Sequence, residues 1–425
     1  MICLEKLLKE FSAISDYKIV RKHRESNEIF YVHKNVETLR KTDTINTFVT
    51  VYVKNEDGTL GEATFEVFDY QLEDELKKVI NDNIFRATLI KNQYYEIPSD
   101  KEEVKNNESN LSLMTLKEAS LKITNILDSI KMEDDASINA TEIFVVKNTT
   151  NIVNSKGINK EDSSYSIMIE AIPTFTKDNE SVELYEQYNT SSIDEAQIKE
   201  EITTSLDNVK ARYLAIKPDY EIEAPVLLHI LDAEVIYENI IGELHYRSVY
   251  TDSNFYKVGD LIQTKPEHDK LNISLEAFIE GSSDNHSFDA DGITLKSVEL
   301  IEDSKVKNYF GDNRFAYYLG VKPTGNMTNM LVENGTTPSS ELLKGKYLEC
   351  ISFSGLQVDV FNDYIGGEVR LAKYFDGNKV IPITGISISG KLSDVLNTIV
   401  LSKEYEVKNS IKAPKLIKLD NMKIF

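Results

Sequence analysis

Ser287-Phe288-Asp289-Ala290-Asp291-Gly292, Lys322-Pro323-Thr324-Gly325-Asn326, Ser352-Phe353-Ser354-Gly355-Leu356-Gln357-Val358-Asp359-Val360 and Ile386-Ser387-Ile388-Ser389-Gly390-Lys391-Leu392 follow one another in the last third of the chain. Each combines glycine with Ser, Asp, Asn or Pro, residues that favour chain reversal, so each reads as a turn. Short runs of β-branched and aromatic residues separate them, and the pattern predicts a domain of mainly antiparallel sheet. The one clear helical stretch in this part runs from Asp232 to Leu244.

Upstream, Lys217-Pro218 ends a helix, because the residue before a proline is pushed out of the α region. A boundary here divides the chain into an amino-terminal α+β domain, residues 1–217, and a β-rich domain, residues 218–425. The first domain opens with a short amphipathic helix over Met1 to Phe11. Strands are expected at Glu28 to His33 and Thr47 to Val53, with a turn at Asn55-Glu56-Asp57-Gly58 leading into a partner strand through Phe65 to Phe68. A helix with Leu72, Leu76, Val79, Ile80, Ile84 and Ala87 on one face follows, then a polar, exposed loop from Pro98 to Asn110. Thr115-Leu116-Lys117-Glu118 and Ser192-Ile193-Asp194-Glu195 read as capping boxes that open two more helices. Between those helices, strands around Ile143 to Val146 and Tyr165 to Ile172 are joined through Asn154-Ser155-Lys156-Gly157. The repeated plan of strands followed by a helix suggests two related α+β units.

Composition narrows the function. With 70 acidic against 48 basic residues the 425-residue chain has a net charge of −22. No basic block interrupts the acidic excess, and the composition therefore disfavours a nucleic-acid partner. Only Cys3 and Cys350 are present, which rules out a disulfide framework, and Cys350 in its strand is expected to be a buried, inert thiol. The start has no basic n-region or apolar h-region, and no run approaches a membrane span, so the reading is a cytoplasmic protein with no membrane partner. No Gly-x-Ser-x-Gly, Walker-type or GxGxxG pattern stands in a strand-to-helix context. Asp284, His286, Asp289 and Asp291 form a local acidic cluster that could hold a cation through oxygen, but not with EF-hand spacing. His245-Tyr246-Arg247-Ser248 reads as a polar loop after a helix, with capture of a peptide carboxylate as its functional alternative.

The order and separation of the four opening motifs resemble the carboxyl-terminal half of the TldD/PmbA family, the modulators of DNA gyrase known as subunits of a metal-dependent peptide-processing protease. Leu319-Gly320, Lys344-Gly345, Pro382 and Ala413-Pro414-Lys415-Leu416-Ile417 extend the likeness; Lys391, where the family usually has Asn, departs from it. The resemblance implies a metal-binding His-Glu-x-x-x-His on a helix and a cysteine near the chain's end. At the corresponding place this chain reads His229-Ile230-Leu231-Asp232-Ala233-Glu234, and Lys408-Asn409-Ser410-Ile411-Lys412-Ala413 holds no cysteine. His229 matches the first histidine, Ile230 replaces the glutamate and Glu234 replaces the second histidine. A substitute metal site from His229, Asp232 and Glu234 would lack a base, and Asp232 is two residues from Glu234, which sets them on different helix faces. An ordinary histidine beside a solvated acidic face is the preferred reading.

What the resemblance implies is a subunit of the PmbA, or TldE, branch. Such a subunit is non-catalytic, carries no cofactor of its own and pairs with a TldD-like metalloprotease subunit that holds zinc and processes small or unfolded peptides. A homodimeric peptide-binding or scaffold protein and a metallopeptidase with a rearranged site at His229 and Glu234 are the alternatives.

Overall fold

A computed structural model describes residues 4–104, 109–133 and 135–425. Cys3 with the start of the first expected helix, and residues 105–108 of the expected loop, lie outside the described residues.

The amino-terminal half runs α1 (Leu4–Leu8), β1 (Asp16–Val32), β2 (Asn35–Lys54), β3 (Leu60–Val67), α2 (Glu73–Thr88), α3 (Leu116–Asp128), β4 (Ala136–Asn154), β5 (Asn159–Lys177), β6 (Glu180–Glu183), β7 (Glu186–Thr190) and α4 (Glu195–Leu214). The strands are much longer than the apolar runs that signal them. Polar residues continue the alternation on both sides of each run, and β1 pairs β2 from Asp16↔Tyr52 to Val32↔Asn35 with one register shift, between Phe30 and Tyr31. β1 also pairs β4, so the two expected α+β units merge into one seven-stranded antiparallel sheet, ordered β3-β2-β1-β4-β5-β6 with β7 also on β5. Strand pairing gives each long strand two hydrogen-bonded neighbours, which two separate small sheets would not.

Helices cover one face of this sheet. α2 packs Leu76 and Ile80 on Tyr17, Val49, Val51 and Phe65, while α3 and α4 pack Ile123, Ile126, Ile198 and Ile202 on Ile29, Ile143, Val145 and Ile169. Leu72 is not on the buried face of α2; it is the N-cap and is exposed. The capping box at Thr115 forms as expected, Thr115 Oγ1 accepting from the Glu118 N–H. The one expected at Ser192 does not. Asp194 caps α4 instead, accepting from the N–H groups of Ala196 and Gln197, because an aspartate nearer the helix outcompetes the serine for the free donors.

The carboxyl-terminal half comprises β8 (Val226–His229), α5 (Ile230–Gly242), α6 (Tyr246–Tyr250), β9 (Ile273–Leu275), β10 (Val298–Glu302), β11 (Lys305–Val306), α7 (Asn313–Leu319), β12 (Met330–Val332), α8 (Ser339–Leu342), β13 (Tyr347–Asp359), β14 (Tyr364–Phe375), β15 (Val380–Ile383), β16 (Ile386–Gly390), α9 (Leu392–Asn397), β17 (Val400–Leu401), β18 (Tyr405–Lys408), β19 (Ile411–Pro414), β20 (Leu416–Leu419) and β21 (Lys423–Ile424). Two mainly antiparallel sheets result, β11-β10-β9-β12-β19-β18 and β17-β20-β8-β13-β14-β16-β21 with β15 on β14. Only β12 with β19 and β8 with β13 run parallel among the described strands. α5 touches strands of both sheets and buries Ile230, Ala233, Ile236, Tyr237 and Ile240 between them. The fold is α+β.

The four opening motifs divide into two kinds. The stretches at 287–292 and 322–326 are turns, with Gly292 at φ +85° and Gly325 at φ +80°. The stretches at 352–360 and 386–392 are not. They supply most of β13 and all of β16, the strands that flank β14, and the second runs on into α9. Serine and glycine there serve close strand contact: a Cβ on Gly367 would lie 2.6 Å from the Gly355 carbonyl oxygen.

Candidate functional site

The residues resembling a metal motif sit where β8 hands over to α5. His229 is the last residue of β8 and the N-cap of α5, with its backbone extended and no side-chain cap bond. β8 lies parallel to β13, which brings Glu349 alongside, and the two side chains pair, His229 Nε2 to Glu349 Oε1 at 2.9 Å. Burial alone would raise the Glu349 carboxyl, but the bond to His229 outweighs it and holds the group below its ordinary range. Asp232, in the first turn of α5, is pushed up to about 7 by burial, with His229 acting in the opposite direction. Glu234 is also pushed up to about 7 by burial, and the charge that acts on it is Glu238, not His229. Two residues apart on a helix, Asp232 and Glu234 lie on different faces, and of the two only Asp232 is acted on by the charge of His229. Cys350, next to Glu349, is fully buried, and burial drives its thiol well above the usual range. Among the described residues, His229, Asp232, Glu234 and Glu349 do not converge closely enough for three of them to share an ion. These positions do not fit zinc.

A second place gathers chemistry between the open face of the amino-terminal sheet and the loops of the other half. A cavity of about 490 Å³ lies there. Lys18, Val20 and Lys22 line it from alternate positions of β1, and Phe288, Leu295 and Met327 from the opposite wall. Its apolar floor is continuous with a small core of Ile152, Ile158 and Phe288 that joins the two halves. The predicted acidic cluster is found at its edge, already divided among other partners. Asp289 accepts the N–H groups of Asp291, Ile293 and Asn326 at 2.9, 3.0 and 3.2 Å, and burial pushes it up to about 6. Asp291 pairs with Lys18 at 2.7 Å. Asp284 and Asp162 flank His286, at 3.1 Å from Nε2 and 3.8 Å from Nδ1. Asp162 first and Asp284 second hold the imidazole up at about 9, so it is cationic at neutral pH. The cluster is therefore a set of turn and interface contacts. No three of these residues converge on a shared ion among the described residues.

Asp162 and Lys160 escaped the sequence reading. Both are buried polar residues on β5: Asp162 accepts from the Ser287 N–H and hydroxyl, and Lys160 donates to Asp100, to the Gly292 carbonyl and to Thr294. Their spacing on an alternating strand looks solvent-facing; only the other half's loops bury them. The expected loop is exposed at Ser99, Lys101, Glu102 and Glu103, but Asp100 within it is tied to the other half, since it also accepts the Thr294 N–H at 2.7 Å. His245 likewise is no loop residue. It caps α6, its Nδ1 accepting from the Arg247 N–H at 3.1 Å, and its Nε2 lies 2.9 Å from Asn326 of the Pro-Thr-Gly-Asn turn.

A sheet covered by helices on one face, followed by a two-sheet domain with an enclosed helix, defines the architecture. The same architecture is found in TldE from Thermococcus kodakarensis, with a TM-score of 0.81 at 14% identity over 100% of each chain. A candidate modulator of DNA gyrase from Bacteroides thetaiotaomicron is similar at TM-score 0.79 and 13% identity over 99% of this chain and 96% of that one. A third, from Thermotoga maritima, gives 0.78 and 15% over 99% of both. No curated protein matches in sequence. Residues 222–425 match the family model of the PmbA/TldA metallopeptidase C-terminal domain. Residues 222–425 thus resemble that family in sequence, and the whole chain shares the fold of the three solved structures.

Proposed function

We propose that this chain is a PmbA/TldE-like subunit without a catalytic metal, which pairs with a TldD-like, zinc-holding partner and helps enclose small or unfolded peptides for cleavage. The observation that carries the reading is the state of His229. It stands at the head of α5 inside a domain that matches a metallopeptidase family, yet its ring is engaged by Glu349, Ile230 follows it, and it forms no ligand group with Glu234 among the described residues. An imidazole and carboxylates so placed offer neither a closed ligand set nor a base on metal-bound water. The cavity beside β1 is of a size for a few side chains of a peptide.

Expression together with a TldD-like subunit from the same cell tests this. The two chains are expected to co-elute in gel filtration, and peptide hydrolysis is expected from the mixture alone, abolished by a chelator and indifferent to His229→Ala. Hydrolysis by this chain alone, or stoichiometric zinc lost on His229→Ala, would overturn the reading in favour of a metallopeptidase with rearranged ligands. Elution as a self-paired, metal-free dimer with no affinity for the TldD-like chain would favour a peptide-binding scaffold.

A further inference from the structure

The helix-covered face of the amino-terminal sheet has a gap. α2 packs over Tyr17, Val49 and Val51, and α3 over Ile29, Ile143 and Val145. Between them β1 presents His23 and Glu25, two residues apart and therefore on the same face. β2 adds Asp43, the direct cross-strand partner of Glu25. The His23 Nε2 lies 2.7 Å from an Asp43 carboxylate oxygen. One ligand atom from each of His23, Glu25 and Asp43 falls within 4.8 Å of the other two, which holds for no other group of His, Cys, Asp and Glu among the described residues.

We propose that His23, Glu25 and Asp43 bind a divalent transition-metal ion of the zinc class. Ligand atoms around one zinc, each about 2.0–2.2 Å from it, stand roughly 3–3.5 Å apart. The pair already at 2.7 Å must open slightly and the third atom must close, movements within reach of side-chain rotation. The backbone needs no change, because a continuous antiparallel ladder fixes all three Cα positions. One imidazole with two carboxylates suits zinc, cobalt, nickel or manganese better than calcium, which prefers an all-oxygen shell. His23 and Asp43 are partly open to solvent, so water completes the coordination.

Other groups compete with the metal for these ligands. In the metal-free protein His23 Nε2 and Asp43 share a hydrogen bond; on binding, Nε2 gives its lone pair to the metal and any proton it carries leaves for Nδ1 or solvent. Lys147 on β4 stands 3.9 Å from Glu25 and neutralises part of the site. Removing this ammonium strengthens the metal's hold. The site owes nothing to His229, which is on β8 in the other half of the chain.

The whole chain, stripped with chelator and titrated with zinc by calorimetry, tests the proposal. One equivalent is expected to bind; His23→Ala and Asp43→Asn each weaken binding at least tenfold, Lys147→Ala tightens it, and His229→Ala leaves it unchanged. Zinc should raise the melting temperature of the parent and not that of His23→Ala, and cobalt should give visible ligand-field absorption in the parent alone. The proposal fails if zinc does not bind, or if binding survives His23→Ala undiminished. Neither result bears on pairing with a TldD-like subunit, which is read from co-elution.

Discussion

At the scale of single residues, burial sets the protonation of the groups that matter, and pH is the probe. Asp232 has a folded pKa of about 7 against an ordinary value near 3.8. A carboxyl raised in this way binds its proton more tightly folded than unfolded, so its contribution to stability falls as pH rises from about 4 to 7 and stays low above. Asp232→Asn keeps the shape and removes the charge. It should stabilise the protein on the order of 1 kcal/mol at pH 8 and little at pH 4, measured by urea unfolding at both values. His286 has the opposite sign. Its pKa is raised from 6.5 to about 9 by Asp162 and Asp284, so its contribution is fully present below about 6.5 and is lost as pH rises through 9. His286→Gln should flatten that loss, and an unchanged decline in melting temperature from pH 6.5 to 9.5 would show that the imidazolium is not what holds these two carboxylates in place.

At the scale of elements, the sequence was legible wherever one rule acts locally and obscure wherever a distant partner decides. The capping box at Thr115 and the turn at Asn154 to Gly157 depend on neighbours within four residues, and each forms as read. The outer parts of β1 and β2 did not announce themselves, because residues such as Thr38, Arg40 and Thr42 are polar and gain strand structure only from pairing across the hairpin. Ser352 to Val360 misled in the other direction. Its Ser-Phe-Ser-Gly pattern has turn chemistry, yet register shifts at Cys350/Ser352 and Phe353/Gly355 mark a bulged strand. The bulge lets Gly355 and Gly367 approach back to back. Gly367→Ala places a Cβ 2.6 Å from a backbone oxygen that cannot rotate away, and should cost about 2–3 kcal/mol in urea unfolding. Gly377→Ala is not the proper control, since that glycine has φ +102°; Gly355→Ala, whose Cβ meets nothing within 4 Å, is, and it should cost under about 1 kcal/mol.

At the scale of the whole molecule, a few buried polar contacts tie the two halves together, and they say how the protein should come apart. The halves have separate cores, one spanning Ile222 to Leu419 and the others built from residues 7–206. Across the junction, Tyr95 packs edge-on against Tyr318, Asn313 donates to the Glu96 carbonyl, and Lys160 reaches Asp100, Gly292 and Thr294. Lys160 is the member whose loss should be felt most. Its side chain is 4% exposed, and it satisfies an Asp100 carboxylate that other donors hold as well. Replacing it by methionine keeps the aliphatic volume but leaves Asp100 and the Gly292 carbonyl short of a donor, which for a buried pair costs roughly 3–5 kcal/mol. That loss falls on the junction and not on either core, so it should uncouple them: a single unfolding transition in the parent is expected to split into two in Lys160→Met, seen by calorimetry. Asp100→Asn offers a milder break, because the amide oxygen still accepts from the Thr294 N–H. If Lys160→Met lowers stability while one cooperative transition persists, then the apolar contacts of Ile152, Ile158 and Phe288, not the ammonium, are what make the halves unfold as one.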